Sequence, residues 1–318
     1  MEVIPLRLRL RLGVALVLGA GAHACSLPAG AQQEPDSTFD TRIARPAFTD
    51  RHPRVAIDEA HHNFHTMTGR YAPLASLMRN DGCRVVAGTR RFSAASLAGL
   101  DVLVISNALG HPDMGDSAAS HSAFTAEECR EVRGWVERGG ALLLIADHSP
   151  MGAAARELGR ALGVDMRNSY AIDTVQAAIG PSNIAYVPGR GLHPDHPIIR
   201  GRDSLETVRR VVTFTGQSLG GPARAAVLLR LSDKAQDLMV GLGEAGPDVP
   251  AEKRLPAAGR AQGLAFELGR GRVVVMAEAA MMSAQVAGPK RAPMGMNVPG
   301  TDDRQFAINV VRWLARAL

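Results

Sequence analysis

The sequence predicts an α/β protein in which a parallel sheet is covered by helices on both faces. Three observations carry that expectation. Short apolar runs recur at residues 55–57, 84–86, 102–105 and 141–145. The segments between them have helical spacing. The runs are also continuously apolar rather than alternating, the pattern of strands with both faces buried. With 46% of residues hydrophobic, the chain can build an ordinary core without staples.

One intervening helix is legible in detail. Thr125 and Glu128 have capping-box spacing, Phe124 and Cys129 occupy the two staple positions, Val132 and Val136 continue the buried face, and Gly139-Gly140 ends it. Cys129 is therefore expected in the core, as is Cys83 at a strand entrance. In the second half, residues 211–215 and 225–231 read as strands. Residues 263–268 and 272–277 form a hairpin about Gly269-Arg270-Gly271. A last helix starts at Asp302 and buries Phe306, Val310 and Leu314. Gly- and Pro-rich loops are expected around 165–200, 243–260 and 284–300, where a binding surface would sit.

The N-terminus has the three parts of a secretory leader: Arg7, Arg9 and Arg11, then an apolar run over 12–22, then Ala29-Gly30-Ala31. Residues 1–31 are expected to be a signal peptide cleaved after Ala31, which puts the protein in the periplasm or outside the cell. Ala22-His23-Ala24 before Cys25 is the alternative, a lipoprotein signal, which His23 fits poorly. Residues 32–52 read as a flexible tether and 53–318 as the folded domain. The apolar run is too short to span a bilayer, and no later stretch is longer, so no transmembrane helix is expected.

The formal charge of +5 loses three arginines and Glu2 with the leader, which leaves a weak bias. Lys234, Lys253 and Lys290 are the only lysines, and the arginines are scattered without interleaved aromatics, so no nucleic-acid footprint is present. Cys83 and Cys129 alone make no disulfide scaffold.

Polar clusters follow the strands. The first runs into Asp58-Glu59-Ala60-His61-His62-Asn63-Phe64-His65, the fourth into Asp147-His148-Ser149-Pro150, and residues 273–277 into Glu278. The C-terminal ends of parallel strands line one edge, and the crevice outside it is where ligands bind. Asp58, Glu59, His61, His62, Asn107, Asp147, His148 and Glu278 are thus the candidate ligand-binding residues. Among them Glu59, Asp147, His148 and Glu278 are the candidate catalytic groups. His61 and His65 are four apart and, with His148, give a candidate set for a divalent metal ion. Against these stands a plainer reading: Asp or Ser after a strand is the usual cap of the next helix. His193 and His196 lie in a further proline-stiffened loop.

Residues 55–66 (VAIDEAHHNFHT), 141–150 (ALLLIADHSP), 210–219 (RVVTFTGQSL), 271–285 (GRVVVMAEAAMMSAQ) and 295–314 together resemble the class I glutamine amidotransferase-like superfamily. Within it they resemble a branch of exported bacterial proteins whose activity is unassigned, and more distantly the ThuA-like proteins. The resemblance covers most of 53–318 and implies a flavodoxin-like scaffold. It also implies a departure: where amidotransferases carry a cysteine between glycines, this chain has Ala146-Asp147-His148-Ser149-Pro150, so glutamine hydrolysis by a Cys-His-Glu triad is not expected. Ser149 is a poor substitute, because His148 is its immediate neighbour and the glycines of a tight elbow are missing.

Three readings follow. In the first, a small polar ligand binds the crevice. In the second, the same His and Asp residues hold a metal that activates water for hydrolysis, with Glu59 or Glu278 as base. In the third, a non-catalytic scaffold binds a protein partner at the cell envelope. A deep polar crevice would favour the first, and a large exposed apolar patch the third.

Overall fold

The computed structural model describes residues 33–180 and 182–318. The expected leader, with its expected cleavage after Ala31, and Cys25 lie outside the described residues. No helix among those described is long and apolar enough to cross a membrane.

The apolar runs of the first half form β1 (Arg54–Asp58), β2 (Arg84–Gly88), β3 (Val102–Ser106) and β4 (Ala141–Ile145). The helices that alternate with them, and close the chain, are α1 (Ala72–Asn80), α2 (Ala126–Glu137), α3 (Met151–Leu162) and α4 (Asp303–Leu314). Three strands of the second half that continue the sheet are β5 (Ala226–Arg230), β6 (Ala261–Leu268) and β7 (Gly271–Met276). Strands β2-β1-β3-β4-β7 lie side by side in that order, all parallel.

Period-two alternation decides which core each strand residue joins. Val55, Ile57, Val104, Leu143 and Val274 pack on one face with α1 and α4, through Leu74, Leu77, Phe306 and Val310. Ala56, Leu103, Leu142, Leu144 and Val275 pack on the other with α2 and α3, through Val132, Val136, Leu158 and Leu162. Every residue of β3 and β4 is buried. That is why their runs are apolar throughout.

The sheet is parallel only through its first half and β7. Beyond β7 the sheet turns antiparallel: β6 pairs with β7 as the predicted hairpin, and β5 pairs with β6. Gly191–Leu192, Ile184–Pro188 and Val211–Thr213 extend it outward, and the whole sheet has twelve strands. The expected long loops also carry structure. Tyr170–Ile172, Gln236–Leu238 and Arg254–Pro256 make one three-stranded sheet. Gln33–Pro35, Ala284–Ala287 and Ala292–Gly295 make another. Strands of three or four residues are too short to show a period.

Residues 33–52, expected as a tether, lie along the domain instead. Phe48 is buried, Asp81 accepts from the Ala47 N–H at 2.9 Å, and Arg45 pairs with Glu206 at 3.0 Å. The contacts are polar and distant in sequence, which is why composition suggested a free segment. Helix α2 has the capping box foreseen for it, whereas Asp302 turns its carboxylate to the N–H groups of Arg209 and Arg210 rather than to α4.

Candidate functional site

The C-terminal ends of β1, β3, β4 and β7 bring Asp58, Asn107, Asp147 and Glu278 to one edge. Most of their hydrogen-bonding capacity is spent on the loops that leave it. Asp58 accepts from His61 Nδ1 at 3.0 and 2.8 Å and from Asn63 Nδ2 at 3.0 Å. His61 Nε2 bonds Glu128 Oε1 at 2.9 Å. A neutral imidazole has one N–H, so a ring between two carboxylates is the doubly protonated cation. Burial works to lower the His61 pKa, but the bonds with Asp58 and then Glu128 prevail and it rises. Burial likewise works to raise Glu128, yet the Thr125 N–H and His61 hold its carboxyl down at about 2. The rings of Phe92 and Phe124 pack on His61 with centroids 4.5 and 4.8 Å away. The capping-box glutamate is therefore also the partner of a buried cation, a role its spacing gave no sign of.

The metal-ligand expectation fails on this geometry. Both ring nitrogens of His61 are engaged. His65 is buried beside Tyr71, with centroids 4.6 Å apart; burial and Arg70 push its pKa down to about 3, and its Nδ1 has no partner among the described residues. Among the described residues no group of three or more His, Cys, Asp or Glu side chains is placed to hold a metal ion.

Asn107 sits at φ +48°, a left-handed conformation that asparagine tolerates better than most residues. There its Oδ1 accepts the Asp147 N–H at 2.9 Å and its carbonyl accepts the Phe64 N–H at 3.0 Å, so it is a clamp between loops. Glu59 accepts the Met67 N–H at 2.8 Å. Glu278 is fully buried and accepts from the Ala280 and Met281 N–H groups at 2.7 and 2.9 Å. Burial, then the nearby Asp147 carboxylate, pushes its pKa well above the usual carboxylate range. His62 is exposed, at φ +51°.

Asp147 and His148 differ from the rest. Asp147 Oδ1 accepts the His148 N–H at 2.9 Å, while Oδ2 has no protein donor among the described residues and is not sealed from solvent. His148 Nδ1 lies 2.8 Å from the Ser149 carbonyl, which can only accept, so Nδ1 carries the proton. The ring stacks on Tyr170, centroids 4.3 Å apart and planes 15° from parallel. Ser149 Oγ is met by Asn168 Nδ2 at 3.4 Å and not by His148. Gln217 secures the turn from below, donating to the carbonyls of Ala146 and Asp147 at 2.9 and 3.1 Å. Tyr170, Asn168 and Gln217 were not foreseen as site residues, since they reach this edge from short strands and loops with no pattern of their own.

The pair His193 and His196 lies elsewhere. His196 caps the short helix Pro197–Arg200, and its ring is 5.3 Å from Trp313, which neighbours Arg272 at the start of β7. That is the opposite edge. Both described cysteines are buried, and burial pushes Cys83 up to about 12 and Cys129 up to about 11. Neither sits in the turn after β4.

No family model matches the chain, and no curated protein sequence does. Solved structures do. The mmIFT52 N-terminal domain superposes with a TM-score of 0.57 at 14% identity, over 82% of this chain and 97% of that one. At such identity the likeness is one of fold. A ThuA-like protein from Bacteroides uniformis gives a TM-score of 0.46 at 13% identity, over 88% and 95% of the two chains. A cytoplasmic protein from Salmonella typhimurium LT2 gives 0.45 at 15%, over 83% and 98%.

Proposed function

We propose that this chain is an exported binding domain on an amidotransferase-like scaffold that lacks the Cys-His-Glu triad and takes a small hydroxyl-rich ligand at the C-terminal edge. The parallel order β2-β1-β3-β4-β7 supports a flavodoxin-like reading of the scaffold, in which a ligand lies at this edge. One observation carries the ligand class. Asp147 Oδ2 and, in the neutral ring, His148 Nε2 are acceptors on adjacent residues with no donor from the protein among the described residues. A ligand completing them must bring O–H or N–H groups. Hydrolysis has less support: His148 holds the Ser149 carbonyl instead of its hydroxyl, and His61 and His65 belong to the core. Export rests on the leader, and N-terminal sequencing of the secreted or periplasmic protein should begin at Gln32.

The test is a thermal-shift and saturation-transfer titration of the mature protein with a panel of neutral polyols and monosaccharides. A ligand at 100 times its Kd stabilises the fold by about 2.7 kcal/mol, which such an assay resolves. Asp147→Asn and His148→Ala should keep the fold and lose the shift. A parent that responds to no polyol, or a shift that survives both substitutions, overturns the reading.

A further inference from the structure

Arginines that are scattered in the sequence converge at the N-terminal edge of the sheet, opposite the site above. Arg51, Arg138 and Arg316 line a cavity of about 270 Å³, with Leu100, Trp135 and Leu314 as apolar wall. The one carboxylate there, Asp101, is already spent: Oδ1 pairs with Arg51 at 2.8 Å and Oδ2 accepts the Arg54 N–H at 2.8 Å. Arg316 gives one nitrogen to the Arg270 carbonyl. The Arg138 guanidinium donates to no acceptor among the described residues; its backbone N–H donates to the Gly134 carbonyl at 3.1 Å, and its carbonyl accepts from Arg270 at 3.2 Å.

We propose that this cavity binds a small oxyanion of the phosphate class, bridged between the Arg138 and Arg316 guanidiniums. A guanidinium offers five donors in a planar fork, and a tetrahedral oxyanion can accept from two forks at once where a single carboxylate cannot. The Trp135 indole walls the cavity on one side, while Arg51, Arg138 and Arg316 themselves are exposed. Helices α2 and α4 point their C-termini here, and the negative ends of their dipoles oppose an anion. Two of the responsible carbonyls are covered: Arg51 takes that of Ala315 at 3.1 Å, and Arg270 takes that of Arg138.

The plain alternative is a set of solvated arginines, and it predicts no selectivity. Isothermal titration of the mature protein with inorganic phosphate and with glycerol 3-phosphate, each against sodium chloride at equal ionic strength, separates the two. The expected result is saturable millimolar or tighter binding, weakened at least tenfold in Arg138→Gln/Arg316→Gln and unchanged in Arg160→Gln, an exposed arginine on α3. Equal affinity for the two compounds means that the free phosphate group is what is recognised; tighter glycerol 3-phosphate means a phosphomonoester whose organic part lies on the Trp135 wall. Either supports the proposal. Heats indistinguishable from chloride, or binding undiminished in the double variant, overturn it. Should that variant not fold, Arg316→Gln alone must weaken binding.

Discussion

The two edges of the sheet use charge in opposite ways. At the C-terminal edge the carboxylates and histidines are plentiful but nearly all engaged: Asp58, His61 and Glu128 with one another, Glu278 with two backbone N–H groups. At the N-terminal edge the arginines reach mostly for carbonyls and keep donors in hand. A concentration of ionisable residues is therefore no measure of a site. What distinguishes a surface that can bind something from one that holds itself together is hydrogen-bonding capacity left unspent, as at Asp147, His148 and Arg138.

The largest test of that contrast is His61→Ala. It leaves Asp58 and Glu128 buried without the cation between them, and breaking a buried ion pair from one side costs about 3–5 kcal/mol. Urea unfolding of the variant should show a loss of that order. A loss under about 1 kcal/mol would mean that the triad is not an ionic lock, and the C-terminal edge would regain its standing as a reactive site.

A smaller effect concerns acid. The His65 pKa is held at about 3 by burial and Arg70, against an ordinary 6.5, and that of His196 at about 4 by burial, His193 and Arg272. In both cases the unfolded chain binds a proton that the fold refuses. Stability present above pH 6.5 is then lost as the pH falls toward these values. Glu128 acts lower down: with its carboxyl at about 2 instead of 4.5, it withdraws stability only below about pH 4.5. His61, whose pKa is raised, has the opposite sign and contributes fully on the acid side. Thermal midpoints between pH 7 and 5 should therefore fall in the parent and fall less in His65→Leu, which also removes an unpartnered buried nitrogen. Parallel curves for the two proteins would remove His65 from the account.

What the sequence made legible was what repeats. Continuous apolar runs located all four early strands, and the spacing of Thr125, Glu128, Phe124 and Cys129 located α2 and its cap. The convergence of Asp58, Asn107, Asp147 and Glu278 on one edge followed from their places at strand ends. The state of each side chain did not follow, because it depends on partners far away in the chain. Glu128 is 67 residues from His61, and Tyr170 reaches His148 from a three-residue strand. For the same reason the N-terminal arginines, spread from Arg51 to Arg316, carried no footprint as a sequence.

The smallest expected effect is the most discriminating. If the arginines at the N-terminal edge are held in reserve for a ligand, the fold does not need them, and Arg138→Gln/Arg316→Gln should leave the unfolding free energy within about 0.5 kcal/mol of the parent in phosphate-free buffer. In phosphate the parent alone should gain stability, since only it has a folded-state ligand. A double variant destabilised by several kcal/mol without phosphate would make these arginines helix caps, tied into the fold no less than His61. The two edges would then differ in sign of charge but not in use.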